Sequence, residues 1–257
     1  MAKDYILELK NVTKRFGGIT ASNDVSLNVP FGSIYGIIGP NGAGKTTLFN
    51  MITGVYDTTE GDVVFKGEKI NGMMTDAIAR KGIARTFQNI RLFGSLTVFD
   101  NIVTAYQKNL SYGLFDGVFK TPKYRSQEKD MKAYVTELLK KVKLDKYADQ
   151  QAENLPYGSQ RRLEIARAIA TKPDLILLDE PAAGMNEEES AQLSAFVKSI
   201  RDEMGITIVI IDHHMDVIMS ICDDITVLNF GNVLAQGTPQ EIQKNPAVIE
   251  AYLGVDE

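Results

Sequence analysis

Two hydrophobic periods alternate along this chain. Residues 5–9 and 25–30 set apolar side chains at every second position, which predicts half-buried antiparallel strands. Between them, 12–18 reads as a break into a turn at Gly17-Gly18. Residues 33–38, 175–178 and 206–211 are nearly continuous apolar runs, as suits parallel strands covered on both faces. Shorter strands are expected at 61–67 and 83–88, and a hairpin with a turn at Gly231 over 225–235. The period lengthens to that of a helix after Lys45, from Thr97, over 126–142, 159–170 and 187–204, and in two short pieces at 239–244 and 246–253. Thr97 with Asp100 three residues on approximates a capping box. In 126–142, Met131, Tyr134, Val135, Leu138 and Leu139 share one face of an amphipathic helix. Residues 110–122 hold Tyr112, Leu114, Phe115 and Phe119 among Gly and Pro and fit neither period. That stretch is either a long loop packed on itself or a docking surface. The whole is an α/β domain over 5–253: a parallel core, an antiparallel β subdomain, and an α-helical subdomain inserted at about 92–157.

One segment gives the strand–helix alternation a chemistry. Gly39-Pro40-Asn41-Gly42-Ala43-Gly44-Lys45-Thr46-Thr47 joins the end of the first buried strand to a helix start, the context in which Gly-x-x-x-x-Gly-Lys-Thr is a P-loop. Glycines let the backbone curl so that its N–H groups line a nest for phosphate oxygens, and the helix N-terminus adds partial positive charge. Lys45 can reach β- and γ-phosphates, and the Thr46 hydroxyl can ligate Mg²⁺.

Further groups collect at strand ends, where open α/β sheets bind ligands. Asp179 and Glu180 follow a buried run; the first can hold Mg²⁺, and the second can orient a water for attack on a γ-phosphate. His213 and His214, the only histidines, follow another, and one imidazole there can hydrogen-bond a γ-phosphate oxygen. Adjacent residues of a strand point to opposite faces, which argues against a zinc pair. Gln88 ends a short strand and is either a solvated loop residue or a ligand contact. Gly158 and Ser159 open a helix whose free N–H groups suit an anion, with Ser159 as its plain N-cap on the alternative reading. Phe16 beside the Gly pair is turn filling or a base-stacking platform.

Composition narrows the setting. A 44% hydrophobic and 24% charged chain with a net charge of -5 fits a soluble globular protein and gives no broad attraction to nucleic acid. The single cysteine, Cys222, lies in an apolar stretch and reads as a buried thiol. The N-terminus lacks the apolar core of a signal peptide, and no run approaches the roughly 20 apolar residues that span a bilayer. The expected location is cytoplasmic, with any membrane role exerted through a partner.

Taken in order, the P-loop, Gln88, the Gly158 helix, Asp179-Glu180 and His213 resemble the nucleotide-binding subunit of ATP-binding-cassette transporters. The likeness covers about 7–253. Ala84-Arg85-Thr86-Phe87-Gln88, the aromatic insert, Tyr157-Gly158, 161–167, 180–186, 227–231 and Gly237-Thr238-Pro239 resemble the ATPase subunit of branched-chain amino acid importers in particular. The resemblance implies ATP with Mg²⁺, Phe16 stacked on adenine, and Gln88 touching metal and attacking water while linking the site to the membrane subunit. It also implies Glu180 as catalytic base and His213 as γ-phosphate switch. Two cassettes, alike or not, would close head to tail, each offering Tyr157-Gly158-Ser159 to the other's ATP. Integral permease subunits would be direct partners, a substrate-binding protein an indirect one, and nucleic acid none. The chain departs from the family pattern at Pro156, where serine is usual, and at Asn186, where aspartate is usual. Pro156 has neither hydroxyl nor N–H, which leaves the phosphate to Gly158 N–H, the helix dipole and Ser159.

Other classes fit less. A lipopolysaccharide-export ATPase is a close relative that would lack the insert. A soluble switch of the same fold would carry two cassettes or a coiled coil. A GTPase would need an Asn-Lys-x-Asp guanine reader, and a small-molecule kinase has no use for Gly158 or Gln88.

Overall fold

The computed structural model describes residues 4–253. Among these, residues 4–88 and 174–253 form one compact unit, and Asn89–Pro173 a second. The first unit has two sheets. β1 (Tyr5–Phe16), β2 (Ile19–Pro30), β4 (Glu60–Phe65) and β5 (Glu68–Lys69) form an antiparallel sheet in the order β2-β1-β4-β5. β3 (Ile34–Ile38), β6 (Ile83–Arg85), β7 (Leu175–Asp179), β8 (Thr207–Ile211), β9 (Asp224–Asn229) and β10 (Asn232–Gly237) form the other, ordered β10-β9-β3-β8-β7-β6. All its pairings are parallel except β10 on β9. β3, β7 and β8 are buried at every position, as their unbroken apolar runs require. Around them lie α1 (Lys45–Ile52), α2 (Thr75–Lys81), α7 (Glu187–Met204), α8 (Met215–Ile221), α9 (Pro239–Gln243) and α10 (Pro246–Leu253).

Three strand readings need correction. β2 begins at Ile19, not at Val25. β1 does not stop at Leu9 but runs on to Phe16. Asn11 takes a left-handed φ of 53° and the β2 register shifts between Leu9 and Val12, so a bulge restarts the alternation out of phase and disguises the second half as a turn. The strand at 83–88 ends at Arg85, although Thr86 N–H still donates to Leu177 O at 2.9 Å. Cys222 is free and buried, as expected, and burial raises its thiol pKa.

The second unit holds α3 (Val98–Tyr106), α4 (Leu114–Phe119), α5 (Pro122–Lys141) and α6 (Tyr157–Ala170). Thr97 caps α3 by accepting from Asp100 N–H. α5 starts on Thr121 with Pro122 at its first position, and Met131, Val135, Leu138 and Leu139 form its buried stripe. The 110–122 stretch is not irregular throughout: α4 occupies its middle, with Gly113 as N-cap and Asp116 accepting from Gly113 N–H. Its six-residue length and the glycines at 113 and 117 hid the helical period. In α6, Arg161 is wholly buried and pairs with Glu164 at 2.8 Å.

Candidate active site

The loop between β3 and α1 has the backbone that its glycines permit. Gly39, Gly42 and Gly44 all have positive φ. A Cβ on Gly39 would lie 2.2 Å from Leu228 O, and one on Gly44 2.4 Å from Ala21 O. Those two positions therefore exclude any side chain on both conformational and steric grounds. Ala43 N–H donates to Pro40 O at 3.1 Å, closing the curl. Asn41 and Thr46 are exposed, Pro40 and Thr47 half-buried, and Ala43 buried. Lys45, only 7% exposed, donates Nζ to the carbonyls of Gly39 at 2.6 Å and Pro40 at 2.9 Å. Burial lowers its pKa, while Glu180 and Asp179 act to raise it.

Sequence reading missed what supports this loop. The turn from β9 to β10 places Gly231 so that its N–H donates to Ala43 O at 3.1 Å, while its carbonyl accepts from Asn23 N–H at 2.8 Å. The C-terminal hairpin thus braces the loop against β2. Only the Phe230-Gly231 turn hinted at it, and no local period says what a turn touches.

Asp179, at the end of β7, is 5% exposed and accepts from Arg85 Nη2 at 2.8 Å. Arg85 also donates Nη1 to Asn50 Oδ1 of α1 at 2.7 Å and lies between the rings of Phe49 and Phe87. This guanidinium, whose role sequence reasoning did not identify, fixes the carboxylate with respect to α1; a charge ending an otherwise apolar strand was the available signal. Arg85→Met is expected to cost roughly 3–5 kcal/mol of stability, because it removes the guanidinium that pairs with the buried Asp179 carboxylate. Urea unfolding reads this, and a loss below about 1 kcal/mol, the range of a solvated pair, would contradict it.

Glu180, Gln88 and His213, far apart in the chain, converge. Glu180 has φ 45° and its N–H donates to Ile211 O at 2.7 Å, which turns its side chain out of β7. Gln88 Nε2 donates to Glu180 Oε2 at 2.8 Å, and His213 Nδ1 lies 3.5 Å from the same oxygen. The two histidines do not point to opposite faces: their rings are 4.2 Å apart. β8 has already ended at Ile211, so strand alternation does not apply. Buried Asp212 makes the turn instead, accepting from His214 N–H at 2.9 Å and holding His214 Nδ1 at 2.7 Å, with Oδ2 accepting from Ala182 N–H at 3.0 Å. Asp212, His213 and His214 therefore bring three ligand-type atoms within 4.8 Å of one another. The Asp212 oxygens are nevertheless committed to the turn, which leaves His213 as the exposed ring beside Glu180.

The remaining candidates stand on their own elements. Phe16 ends β1, is 42% exposed, and meets the Tyr56 ring edge-on at 5.1 Å with Lys14 Nζ over it. Ser159 is not the N-cap of α6. Pro156 holds that position, its carbonyl accepting from Ser159 and Gln160 N–H groups, so Tyr157, Gly158 and Ser159 form the first turn. A proline already fixed near helical φ and lacking an N–H is tolerated there. Among the described residues Gly158 N–H has no acceptor, and it lies in the first turn of this 14-residue helix. Asn186 keeps the structural job of the usual aspartate, capping α7 by accepting from Glu189 N–H at 2.9 Å.

Comparison with known proteins agrees with this reading. Residues 22–183 match the family model for the ABC transporter, and 232–257 that for the branched-chain amino acid ATP-binding cassette transporter. The chain is 47% identical to the high-affinity branched-chain amino acid transport ATP-binding protein BraF of Pseudomonas aeruginosa, over 97% of this chain and 98% of that one. It is 43% identical to LivG of Escherichia coli, described in the same words, over the same shares. Among solved structures, an ATP-binding cassette of an ABC transporter in its ADP conformation superposes with TM-score 0.85 at 31% identity, covering 98% of this chain and 99% of that one. The architecture is thus a P-loop NTPase core with an antiparallel β subdomain and a helical insert, and the chain belongs to the ABC transporter family as one of its ATP-binding cassettes.

Proposed function

We propose that this cassette binds and hydrolyses ATP to drive import of branched-chain amino acids through a membrane permease. The observation that carries the hydrolytic part is the meeting of Gln88, Glu180 and His213 on one carboxylate oxygen. The solute is inferred from the relatives' described function and from the match at 232–257.

The loop N–H groups and Lys45 hold the β- and γ-phosphates, and Phe16 supplies a face for adenine. The donors near the phosphates, the Thr46 hydroxyl, the Asp179 carboxylate and the Gln88 amide, are hard oxygens of the kind Mg²⁺ takes. When bound there, Mg²⁺ would neutralise phosphate charge. Glu180 accepts a proton from the water that attacks the γ-phosphorus as the bond to ADP breaks. Gln88 positions Glu180, and His213 beside it meets the γ-phosphate. A second cassette, identical or related, presents Tyr157-Gly158-Ser159 to that phosphate, and Gly158 N–H with the α6 dipole does the work that Pro156 cannot.

No helix among the described residues is long and apolar enough to cross a membrane. On this reading the chain sits peripherally on the inner face, coupled to permease subunits through its helical insert and served indirectly by a substrate-binding protein. Reconstitution with the permease tests it: ATP-dependent leucine uptake that disappears without this chain is expected. Full uptake without it, or co-purification with ribosomes or DNA in place of a permease, would contradict it.

A further inference from the structure

α4 and its flanks invert the usual placement of polar and apolar groups. Its polar groups face inward onto α5: Gln127 Oε1 accepts from Ser111 N–H at 2.9 Å, Tyr112 hydroxyl donates to Glu128 at 2.8 Å, and Thr121 hydroxyl donates to Asp116 at 2.8 Å. The Tyr112 ring meets the Tyr124 ring at 4.9 Å. The outward face is apolar. Leu114 is 86% exposed, Phe115 69%, Val118 66% and Phe119 66%, and their i, i+4 spacing makes them one stripe. Phe115 and Phe119 touch, ring centroids 4.5 Å apart. Folding gains nothing from holding four large apolar side chains in water on a segment this well bonded, so the stripe is made for contact.

Its shape and surroundings select the occupant. The stripe is carried on a six-residue helix whose one charged residue is Asp116. Lys120, Lys123 and Arg125 are exposed just beyond its C-terminal end, Lys123 Nζ donating to Ser111 O at 2.8 Å and Arg125 Nε to Lys120 O at 3.0 Å. From Lys108 to Lys132 there are six basic and three acidic residues, in a chain whose net charge is -5. An exposed apolar helix face with a local excess of cations in the segment that follows it suits the headgroup–acyl boundary of an anionic bilayer. We propose that α4 is a lipid-contacting element that inserts Leu114, Phe115, Val118 and Phe119 into an anionic phospholipid surface while the nearby basic side chains meet its headgroups. This goes beyond the import reading and does not depend on it.

The chain has no tryptophan, so Phe115→Trp in the full-length protein gives a single reporter. With phosphatidylglycerol vesicles, and without nucleotide or permease, its emission is expected to shift to the blue. The shift should weaken with added salt and be absent with phosphatidylcholine alone. Co-sedimentation with the same vesicles should fall roughly ten-fold or more in the double variant Phe115→Ser, Phe119→Ser, since binding scales with buried apolar area. Because these side chains are exposed, the melting transition of that variant should not move, which separates lost binding from lost fold. No shift with anionic vesicles overturns the proposal. So does an equal shift with neutral vesicles, a shift only when permease is present, which assigns the stripe to a protein groove, or a vesicle-free shift that grows with protein concentration, which assigns it to a second copy.

Discussion

Glu180→Gln is expected to slow ATP hydrolysis by on the order of 10²–10⁴-fold, the usual worth of a general base, while ATP binding persists. The amide keeps the size and position of the carboxylate but cannot take a proton from water. The phosphate contacts assigned to the loop and Lys45 are untouched. Turnover measured at saturating ATP, beside direct titration of nucleotide, separates the two effects. Turnover within a few-fold of the parent would move the base elsewhere, and lost binding would make Glu180 a structural residue. Gln88→Ala is a weaker version of the same experiment, because it frees Glu180 Oε2 of its 2.8 Å donor without removing the base.

Lys45→Ala is expected to lose ATP binding by about 100-fold or more, since charge-assisted bonds to phosphate oxygens carry much of the grip. The side chain is 7% exposed and already aimed across the loop at Gly39 O and Pro40 O. It is therefore held in place before any phosphate arrives, and little ordering entropy remains to oppose its contact. Its burial carries a cost of its own, visible in the lowered pKa. The variant should consequently remain folded, with an unfolding midpoint close to that of the parent. Affinity near the parent value would show that the loop amides suffice.

The site is legible in the sequence where chemistry and period coincide. Gly39, Gly44 and Lys45 lie between a strand and a helix, so their arrangement follows from neighbours in the chain. Asp179 and Glu180 end an apolar run, and that position alone sets them at the carboxyl end of a parallel strand. What stays hidden depends on contacts distant in sequence. Nothing near Arg85 reveals that Asn50 and Asp179 are its partners, and nothing near Gly231 reveals that it braces Ala43. The histidines mislead because alternation extends no further than Ile211, and the residues beyond lie in a turn governed by Asp212. β1 misleads for the opposite reason: Asn11 hides a strand that continues. α4 escapes because it is only six residues long, with Gly113 at its cap, Gly117 inside it and Pro122 just beyond, so its short i, i+4 pattern is broken up by residues that mark a loop.

The central claim is that a phosphate held by one copy's loop is sealed by the α6 end of another. Sedimentation of the Glu180→Gln protein with ATP and Mg²⁺ tests it most directly, because trapped nucleotide cannot leave by hydrolysis. A dimer that forms with ATP and dissociates with ADP is predicted, and Gly158→Asp, which sets a carboxylate against the phosphate, should abolish it. A protein that stays monomeric with ATP at every concentration tried would contradict the claim.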